Sequence, residues 1–418
     1  MDTTLTKPVR TPLLNGTLKM FLLAMILANV SSQMYAPILP LYLKSLDASV
    51  VQVGLFFTLS QIIPLALQII GGWISDSLGR LRSIAMGSLA GIFSYVGLIL
   101  APTWQWVLIG EGFGAVTRSL VGPSFGAFIA EQSAEENRAR VFAVSESLFT
   151  IVIIVGPPLG GWLVDNYGFK FMLVTAGILY TIATALRVMM ARMVKHTEAA
   201  ARKPLSLAGL RSNLGVMTGL IMAGGVITWL LITDGVRDIA FSMSFTLMPL
   251  YLEGIGGLSV QQIGWLSSIF GIASMAINMP GGWLADKKGE RWPIILGFLL
   301  ESIALFCFLK ATTFWGYALS WAVFGMGSGL MSPAYSSLMS KAFPEKVRGT
   351  AFGLMHTSLG LFSLPAPAIG GQIWTHAGPR VPFIITAIIP LLTIVPAWFK
   401  FRLTGNEGDT GESERSTD

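Results

Sequence analysis

The chain has 418 residues, of which 53% are hydrophobic and only 12% are charged. Soluble domains carry about 25% charged residues, so this composition excludes an ordinary soluble protein. The net charge is +6, but the basic residues are not gathered in one patch, so nucleic acid is not an expected partner. The single cysteine, Cys307, excludes an internal disulfide.

The apolar residues are grouped in long blocks that predict membrane-spanning helices. About 20 apolar residues in a helix cross the hydrocarbon core of a bilayer. The first block is too long for the apolar region of a cleaved signal peptide, so we expect it to be retained. We therefore predict an all-α membrane protein with twelve spans, which in chain order cover residues 17–43, 50–75, 82–101, 104–130, 141–164, 170–194, 218–252, 259–285, 292–311, 314–342, 350–374 and 380–402.

The distribution of Lys and Arg orients these spans, because positive residues favour the cytoplasmic side. One set of connections holds Arg80, Arg82, Arg138, Arg140, Arg192, Lys195, Arg202, Lys203, Arg211, Lys287, Lys288, Arg291, Lys341, Lys346 and Arg348. The opposite set holds Lys44, Lys170, Lys310 and Arg380. We expect the first set and both termini to lie in the cytoplasm, and the protein to lie in a bacterial-type inner or plasma membrane.

The two halves of the chain repeat one another. The stretch GGWISDSLGR at Gly71–Arg80 returns as GGWLADKKGE at Gly281–Glu290, 210 positions later. At an offset of 209 or 210, the repeat also matches Pro40 with Pro249, Gly54 with Gly264, Pro123 with Pro333, Arg138 with Arg348 and Gly160-Gly161 with Gly370-Gly371. Six spans in each half give both halves the same orientation, and such parallel repeats hold a substrate site between them near the midplane.

The repeat predicts how the chain is divided. We expect an N-terminal six-helix bundle at 1–195, a cytoplasmic linker at 196–213 and a C-terminal six-helix bundle at 214–403. The last residues, 404–418, are polar and predict a disordered cytoplasmic tail.

With this repeat and loop motif, the chain resembles transporters of the major facilitator superfamily over essentially its whole length. The family signature in the loop after the second span is Gly-x-x-x-Asp-Arg/Lys-x-Gly-Arg-Arg/Lys. Its matches in the first copy are Gly72, Asp76, Gly79 and Arg80, whereas Ser77 and Leu81 depart from it. Its matches in the second copy are Gly282, Asp286, Lys287 and Gly289, with Glu290 in place of the Arg.

The chemistry of this turn predicts a latch on the cytoplasmic side. A short turn between helices needs glycine where the backbone is left-handed, and an aspartate is stabilised near a helix N-terminus. The resemblance implies that Asp76 caps the eleventh span near Arg348, and that Asp286 caps the fifth span near Arg138. The alternative is a plain solvated turn.

A second stretch, Gly156-Pro157-Pro158-Leu159-Gly160-Gly161, resembles the core of the family's antiporter motif, Gly-Pro-x-x-Gly-Gly. The upstream glycines of that motif are replaced by Val152 and Ala143. Proline bends a helix and glycines allow tight helix contact, which suits a moving interface, although generic membrane packing is the alternative. A third family motif in the fourth span is degraded, because Leu108 replaces its Arg and Glu111 its Gln.

Charged residues within the predicted spans are the main candidates for function, because a charge at the membrane centre is costly and usually marks a pathway. Glu111 and Arg118 lie two turns apart on one face of the fourth span. Asp234, Arg237 and Asp238 share a face of the seventh span. Arg237 can neutralise one aspartate, so we expect the other to carry a proton; an intramembrane structural network is the alternative.

The resemblance places spans 1, 4, 7 and 10 around the central cavity. Asn29 and Gln33, one turn apart on the first span, would add hydrogen-bonding groups there. An apolar wall could come from Met34, Tyr35, Phe241, Met243, Phe245, Trp321, Phe324 and Met326, although packing or lipid contact is the more usual role of such residues. Glu301 is on the ninth span, which the resemblance places at the periphery, so we expect a structural role for it.

The sequence favours transport over catalysis. It contains no Walker A, HExxH or CxxC motif, so we expect no enzyme activity, cofactor or metal. We predict a monomeric secondary transporter that works by alternating access and exports small amphipathic or cationic compounds in exchange for protons, of the multidrug type. The alternatives are uptake or facilitated transport of a sugar, metabolite or lipid, and a non-transporting membrane receptor or scaffold.

Overall fold

The computed structural model describes residues 14–133, 135–193, 225–342 and 360–401, and all regular structure in these ranges is helical. The helices of the first repeat are α1 (Gly16–Tyr35), α2 (Leu39–Ser45), α3 (Val50–Leu78), α4 (Arg80–Leu100), α5 (Trp104–Gln132), α6 (Arg138–Tyr167) and α7 (Phe169–Met193). Those of the second repeat are α8 (Val226–Phe245), α9 (Met248–Gly254), α10 (Val260–Lys288), α11 (Arg291–Lys310), α12 (Phe314–Ala342), α13 (Ala366–Ala377) and α14 (Val381–Lys400). Within these ranges, seven helices are long and apolar enough to cross a membrane.

The first helix of each repeat ends earlier than predicted. The predicted span 17–43 stops as α1 at Tyr35, and a 3₁₀ turn leads into the short helix α2. In the second repeat, α8 likewise ends before the short helix α9. Pro40 and Pro249 stand in the first turns of these short helices, where the missing backbone N–H costs nothing. Hydrophobicity alone does not reveal these two breaks.

The chain packs as two compact units. Unit 1 comprises Met1–Ala48, Leu59–Pro204 and Ser259–Trp265, and unit 2 comprises Ser49–Thr58, Leu205–Leu258 and Leu266–Asp418. Each unit therefore includes the first turns of one helix from the other sequence repeat, α10 in unit 1 and α3 in unit 2. The predicted linker 196–213 and tail 404–418 lie outside the described residues, and the predicted domain division stays a prediction.

Each unit has its own apolar core built on the same pattern of helices. In unit 1, α4 packs on α5 and α7, and α1 packs on α6 and α7. In unit 2, α11 packs on α12 and α14, and α8 packs on α13 and α14. The core of unit 1 includes Leu18, Phe21, Leu22, Ile84 and Phe128, and that of unit 2 includes Leu230, Ile294, Phe298, Met331 and Leu338. These packed helices hold the charged side chains of each unit in place.

Candidate functional site

The repeated turn has the backbone that its glycines predict. Gly79 has φ +89° and Gly289 has φ +85°, both in the left-handed region that favours glycine. Gly72 and Asp76 lie in the last turns of α3, where the side chains are outside the described part, and Arg348 is outside it altogether. Asp286 and Arg138 are both exposed. The two latches therefore stay predictions.

Each turn carries an ion pair just after its glycine. Arg80 Nε lies 3.2 Å from Glu131 Oε1, at the far end of α5. In the second repeat, Glu290 accepts hydrogen bonds from Lys341 Nζ and from Ser337 Oγ, the latter at 2.8 Å. Burial would raise the pKa of the Glu290 carboxyl, but hydrogen bonds from Lys341, from its own backbone amide and from Ser337 outweigh burial and lower it.

The glycines of the antiporter-like stretch are sites of close backbone approach in unit 1. A Cβ on Gly156 would lie 2.6 Å from Gln33 Cβ, and one on Gly160 would overlap the carbonyl oxygen of Met34. On the next face, a Cβ on Gly161 would lie 2.5 Å from the carbonyl oxygen of Val260. The tight packing expected of this stretch is present, whereas its role in antiport stays a prediction.

Unit 2 repeats these contacts at equivalent positions. A Cβ on Gly370 would overlap the carbonyl oxygen of Met243, just as a Cβ on Gly160 would overlap that of Met34. A Cβ on Gly371 would lie 3.0 Å from the carbonyl oxygen of Val50. A second equivalent pair of contacts joins a glycine to a proline carbonyl in each unit. In unit 1 a Cβ on Gly264 would lie 2.5 Å from the carbonyl oxygen of Pro157, and in unit 2 a Cβ on Gly54 would overlap the carbonyl oxygen of Pro367. The duplication has therefore kept the backbone contacts as well as the sequence.

The first turn of α10 is capped more fully than the first turn of α3. Both helices begin with a reciprocal Ser–Gln capping box, Ser259 with Gln262 and Ser49 with Gln52. The carboxylate of Asp165 also accepts hydrogen bonds from the first two amides of α10, from Val260 N at 3.1 Å and Gln261 N at 2.8 Å. Thr375 stands at the equivalent of Asp165 in the second repeat and instead bonds the carbonyl of Gly371 on its own helix.

A buried cluster of charges in unit 2 centres on Arg237. Its Nη2 lies 2.9 Å from Glu301 Oε2, and its Nη1 lies 3.4 Å from Asp234 Oδ1. The side chains are 13% exposed for Arg237, 17% for Asp234 and 4% for Glu301. When all three are ionised, these residues together carry one negative charge. Two carboxylates thus share one guanidinium inside the helix bundle.

This cluster differs from the predicted one in one of its acids. Asp238 is exposed and makes no ion pair in the part of the chain that the structure describes. Glu301, which was expected to be structural, occupies the place that sequence analysis gave to Asp238. A carboxylate inside the otherwise apolar helix α11 was the signal that could have identified it.

Aromatic rings surround the guanidinium. The central carbon of Arg237 lies 4.3 Å from the ring centroid of Phe298 and 5.7 Å from that of Phe241. Cation–π contacts of this kind stabilise a desolvated guanidinium. Phe241 in turn contacts Phe245 and Phe324, with centroids 5.0 and 5.7 Å away. Three of the predicted wall residues therefore form one aromatic patch beside the charge cluster.

Unit 1 holds a second charged pair. Arg118 Nη2 lies 3.2 Å from Glu111 Oε2, so the pairing expected from their shared helix face is present. Tyr35 donates a hydrogen bond of 3.4 Å to the other oxygen of Glu111. The side chain of Glu111 is 8% exposed, whereas that of Arg118 is 53% exposed. Asn29 does not join this pair, because it donates to the Met25 carbonyl of its own helix.

A buried arginine of unit 1 was missed by the sequence analysis. Arg187 is 2% exposed, and its Nη1 donates to Ser88 Oγ at 2.7 Å while its Nη2 lies 2.8 Å from Met25 Sδ. Neither partner carries a charge. An arginine within the apolar stretch of α7, before Arg192 in the last turn, was the available signal, as Glu301 was in α11.

The two buried guanidiniums lie at equivalent places in their units. At an offset of 209 or 210, Met25 corresponds to Asp234, Ser88 to Phe298 and Gly91 to Glu301. Met25 and Ser88 contact the guanidinium of Arg187, which comes from α7. Their counterparts Asp234 and Phe298 contact the guanidinium of Arg237, which comes from α8. The same pocket in the repeat therefore holds an arginine with two carboxylates in unit 2 and an arginine without them in unit 1.

Comparison with known proteins places this geometry in a family. A family model described as Major Facilitator Superfamily matches residues 21–256 and 230–417. The Na(+), Li(+), K(+)/H(+) antiporter of Planococcus maritimus is 26% identical over 390 residues, 86% of this chain and 92% of that protein. The multi-drug resistance efflux pump PmrA homolog of Lactococcus lactis is 22% identical over 383 residues, 89% of this chain and 91% of that protein.

A solved structure shows the same fold. The nucleoside transporter NupG superposes with a TM-score of 0.75 at 15% identity, covering 93% of this chain and 100% of that chain. At this identity the likeness speaks for the fold alone. The predicted all-α membrane fold of twelve spans in two six-helix repeats is confirmed. The chain is an integral membrane protein that belongs to the Major Facilitator Superfamily.

Proposed function

We propose that the protein exports small amphipathic or cationic compounds in exchange for protons by alternating access. The names of two relatives support this proposal, one a cation/proton antiporter and the other a multidrug efflux pump, because this chain covers nine-tenths or more of each. The family membership makes a transporter the expected class of protein.

The observation that carries the proposal is the pair of buried carboxylates around Arg237. Two acids close together disfavour each other's ionisation, and burial makes the charged form of a carboxyl costly. Taking up one proton makes the three-residue cluster of Asp234, Arg237 and Glu301 neutral, and releasing the proton restores its negative charge. A group that can change charge inside the membrane is what proton coupling requires.

A purely structural role for these acids is the main alternative. Charge balance argues against it, because one guanidinium needs one counter-charge, whereas Asp234 and Glu301 bring two. The acids of unit 2 exceed what the fold needs at this position, which favours a role in transport.

The charge change suggests an order of events. Protonation from the acidic side neutralises the cluster, and release of that proton to the less acidic cytoplasm restores the negative charge. The restored charge attracts a cationic solute, and the rings of Phe241, Phe245 and Phe324 offer apolar contacts to its hydrophobic part. Glu111 and Arg118 modulate this exchange from unit 1.

Vesicles with an imposed pH gradient test the proposal. Substrate-dependent proton movement should be lost in Glu301→Gln and in Asp234→Asn, because each removes one of the two acids that share Arg237. The matched control is Asp238→Asn, which neutralises an exposed acid on the same helix and should leave coupling unchanged. Wild-type coupling in both Glu301→Gln and Asp234→Asn would contradict the proposal.

A second candidate is exchange of small monovalent cations for protons, which the first relative's name favours. The same vesicles distinguish it, because Na⁺, Li⁺ or K⁺ added without any organic compound would then move protons. If the solute instead accumulates on the side toward which the protons flow, the result would support the uptake alternative.

The orientation is also part of the proposal. We place both termini and the 196–213 linker in the cytoplasm of a bacterial-type plasma membrane, and we expect a monomer. In a Cys307→Ser background, single cysteines at Ser45 and Ser206 should react with a membrane-impermeant reagent from opposite sides. Labelling of both from the outside would overturn the orientation.

A further inference from the structure

The environment of Arg187 leaves its positive charge without an internal counter-charge. The residue is 2% exposed, and its contacts are the hydroxyl of Ser88, the sulfur of Met25 and the ring of Tyr180, whose centroid is 5.9 Å from the guanidinium carbon. Within the described ranges it forms no ion pair. A buried charge without a partner is among the most costly features that a fold can contain.

Two donors in this place have no acceptor. Arg187 Nε and Tyr180 Oη are both buried without a hydrogen-bond partner among the residues that the structure describes. Tyr180 is 6% exposed, so bulk water does not reach its hydroxyl freely. Buried polar groups are ordinarily hydrogen-bonded, and a guanidinium N–H and a phenol O–H can both donate. The two donors therefore call for a shared acceptor that also carries negative charge.

The internal repeat shows what kind of group belongs there. At the equivalent place in unit 2, the guanidinium of Arg237 has carboxylates from Asp234 and Glu301. Their counterparts in unit 1 are Met25 and Gly91, which bring no charge. A Cβ on Gly91 would overlap the hydroxyl of Tyr180, so the missing side chain is what admits this hydroxyl. Unit 1 has a donor where unit 2 has an anion.

We propose that Arg187 and Tyr180 bind a small monovalent anion inside unit 1, with chloride as its natural occupant. One negative charge balances one guanidinium, whereas a doubly charged oxyanion would leave an excess of charge among apolar helices. Chloride accepts hydrogen bonds from N–H and O–H groups without needing a directional lone pair. The anion supplies from solution the charge that Asp234 and Glu301 supply in unit 2, and this site is independent of the transported substrate.

Thermal unfolding of the purified protein in detergent tests the site. Chloride is titrated against gluconate, an anion too large for the site, at constant ionic strength. Because a ligand that binds only the folded state stabilises it by mass action, Tm should rise with chloride in a saturable way, and bromide should act similarly. Equal Tm values in chloride and gluconate at every concentration would overturn the proposal and leave water as the partner of Arg187.

Two variants identify the residues. Met25→Asp gives Arg187 the carboxylate that the second repeat has, so the protein should stay folded in gluconate and lose its response to chloride. Tyr180→Phe removes one donor and should weaken the apparent chloride affinity roughly three- to tenfold, the loss expected for one neutral hydrogen bond. Asp238→Asn, an exposed change in unit 2, is the control and should keep the full response. A wild-type chloride response in Met25→Asp would contradict the proposal.

Discussion

Arg80 and Glu290 occupy equivalent positions in the two repeats, and each is ion-paired with the residue 51 positions further along the chain, but with opposite polarity. In the first repeat the cation begins α4 and the anion, Glu131, lies near the end of α5. In the second repeat the anion, Glu290, is the residue directly before α11, and the cation, Lys341, lies in the last turn of α12. The ion pair has been kept and its direction reversed.

The helix dipoles distinguish the two polarities. Anions are stabilised at helix N-termini and cations at C-termini, so Glu290 and Lys341 are both favourably placed. Arg80 and Glu131 are both unfavourably placed by the same rule. The first pair thus keeps a polarity that does not favour stability.

Reversing each pair as a double variant should have opposite effects on stability. Glu290→Lys with Lys341→Glu should lower the free energy of unfolding by about 1–4 kcal/mol, since two helix-end interactions of about 0.3–1 kcal/mol each change from favourable to unfavourable. Arg80→Glu with Glu131→Arg should raise it by a similar amount. Thermal unfolding in detergent measures both, and a change of the same sign in the two variants would contradict the dipole argument.

The stabilising effect of Glu290 should depend on pH. The pKa of this carboxyl is lowered from its ordinary value of 4.5. Its contribution to stability is therefore fully present above pH 4.5 and is lost as the pH falls through the lower pKa of the folded state. The Tm difference between wild type and Glu290→Gln should be constant from pH 7 to about pH 5. It should shrink in more acidic buffer, and a difference that grows below pH 4.5 would refute the assignment.

Alanine at the repeated close contacts should be destabilising in both units. Gly160→Ala and Gly370→Ala place a methyl group against a backbone carbonyl, so a helix must shift, at a cost of about 1–3 kcal/mol each. Gly122→Ala and Gly126→Ala are matched controls within a helix, because a Cβ there meets nothing within 4 Å. The controls should leave Tm unchanged or raise it slightly. Equal Tm changes in the two sets would show that these contacts are not tight.

Removing the carboxylate that caps α10 should weaken the attachment of its first turn. Asp165→Asn replaces a charged acceptor of two backbone amides by a neutral one, and we expect a loss of about 0.5–2 kcal/mol. Hydrogen exchange at the amides of Val260 and Gln261 would detect this loss locally. Thr375→Val, at the equivalent position, is the control, since Thr375 bonds only within its own helix among the described contacts. Unchanged protection in Asp165→Asn would contradict this role.

Interactions within one helix were predictable, and those between helices were not. The seven-residue spacing of Glu111 and Arg118 placed them on one face, and the glycine of each turn predicted its left-handed backbone. The pairing of Arg237 with Glu301 joins residues 64 positions apart on two helices, which periodicity within a helix cannot detect. Asp238 was expected in the cluster because it lies four residues after Asp234, a spacing that predicts a shared helix face. In the structure its side chain is exposed. The 210-residue offset would have drawn attention to Glu301, because it shows a carboxylate where the first repeat has Gly91.

Because each unit includes the first turns of a helix from the other repeat, the two repeats should not fold when they are expressed as separate polypeptides. A polypeptide ending at Pro204 would lack Ser259–Trp265, and so Gly161 and Asp165 would lose the segment that covers them in unit 1. A polypeptide beginning at Leu205 would likewise lack Ser49–Thr58. Neither repeat is therefore a self-sufficient folding module, and the two fragments should accumulate stably only when they are co-expressed and complement each other.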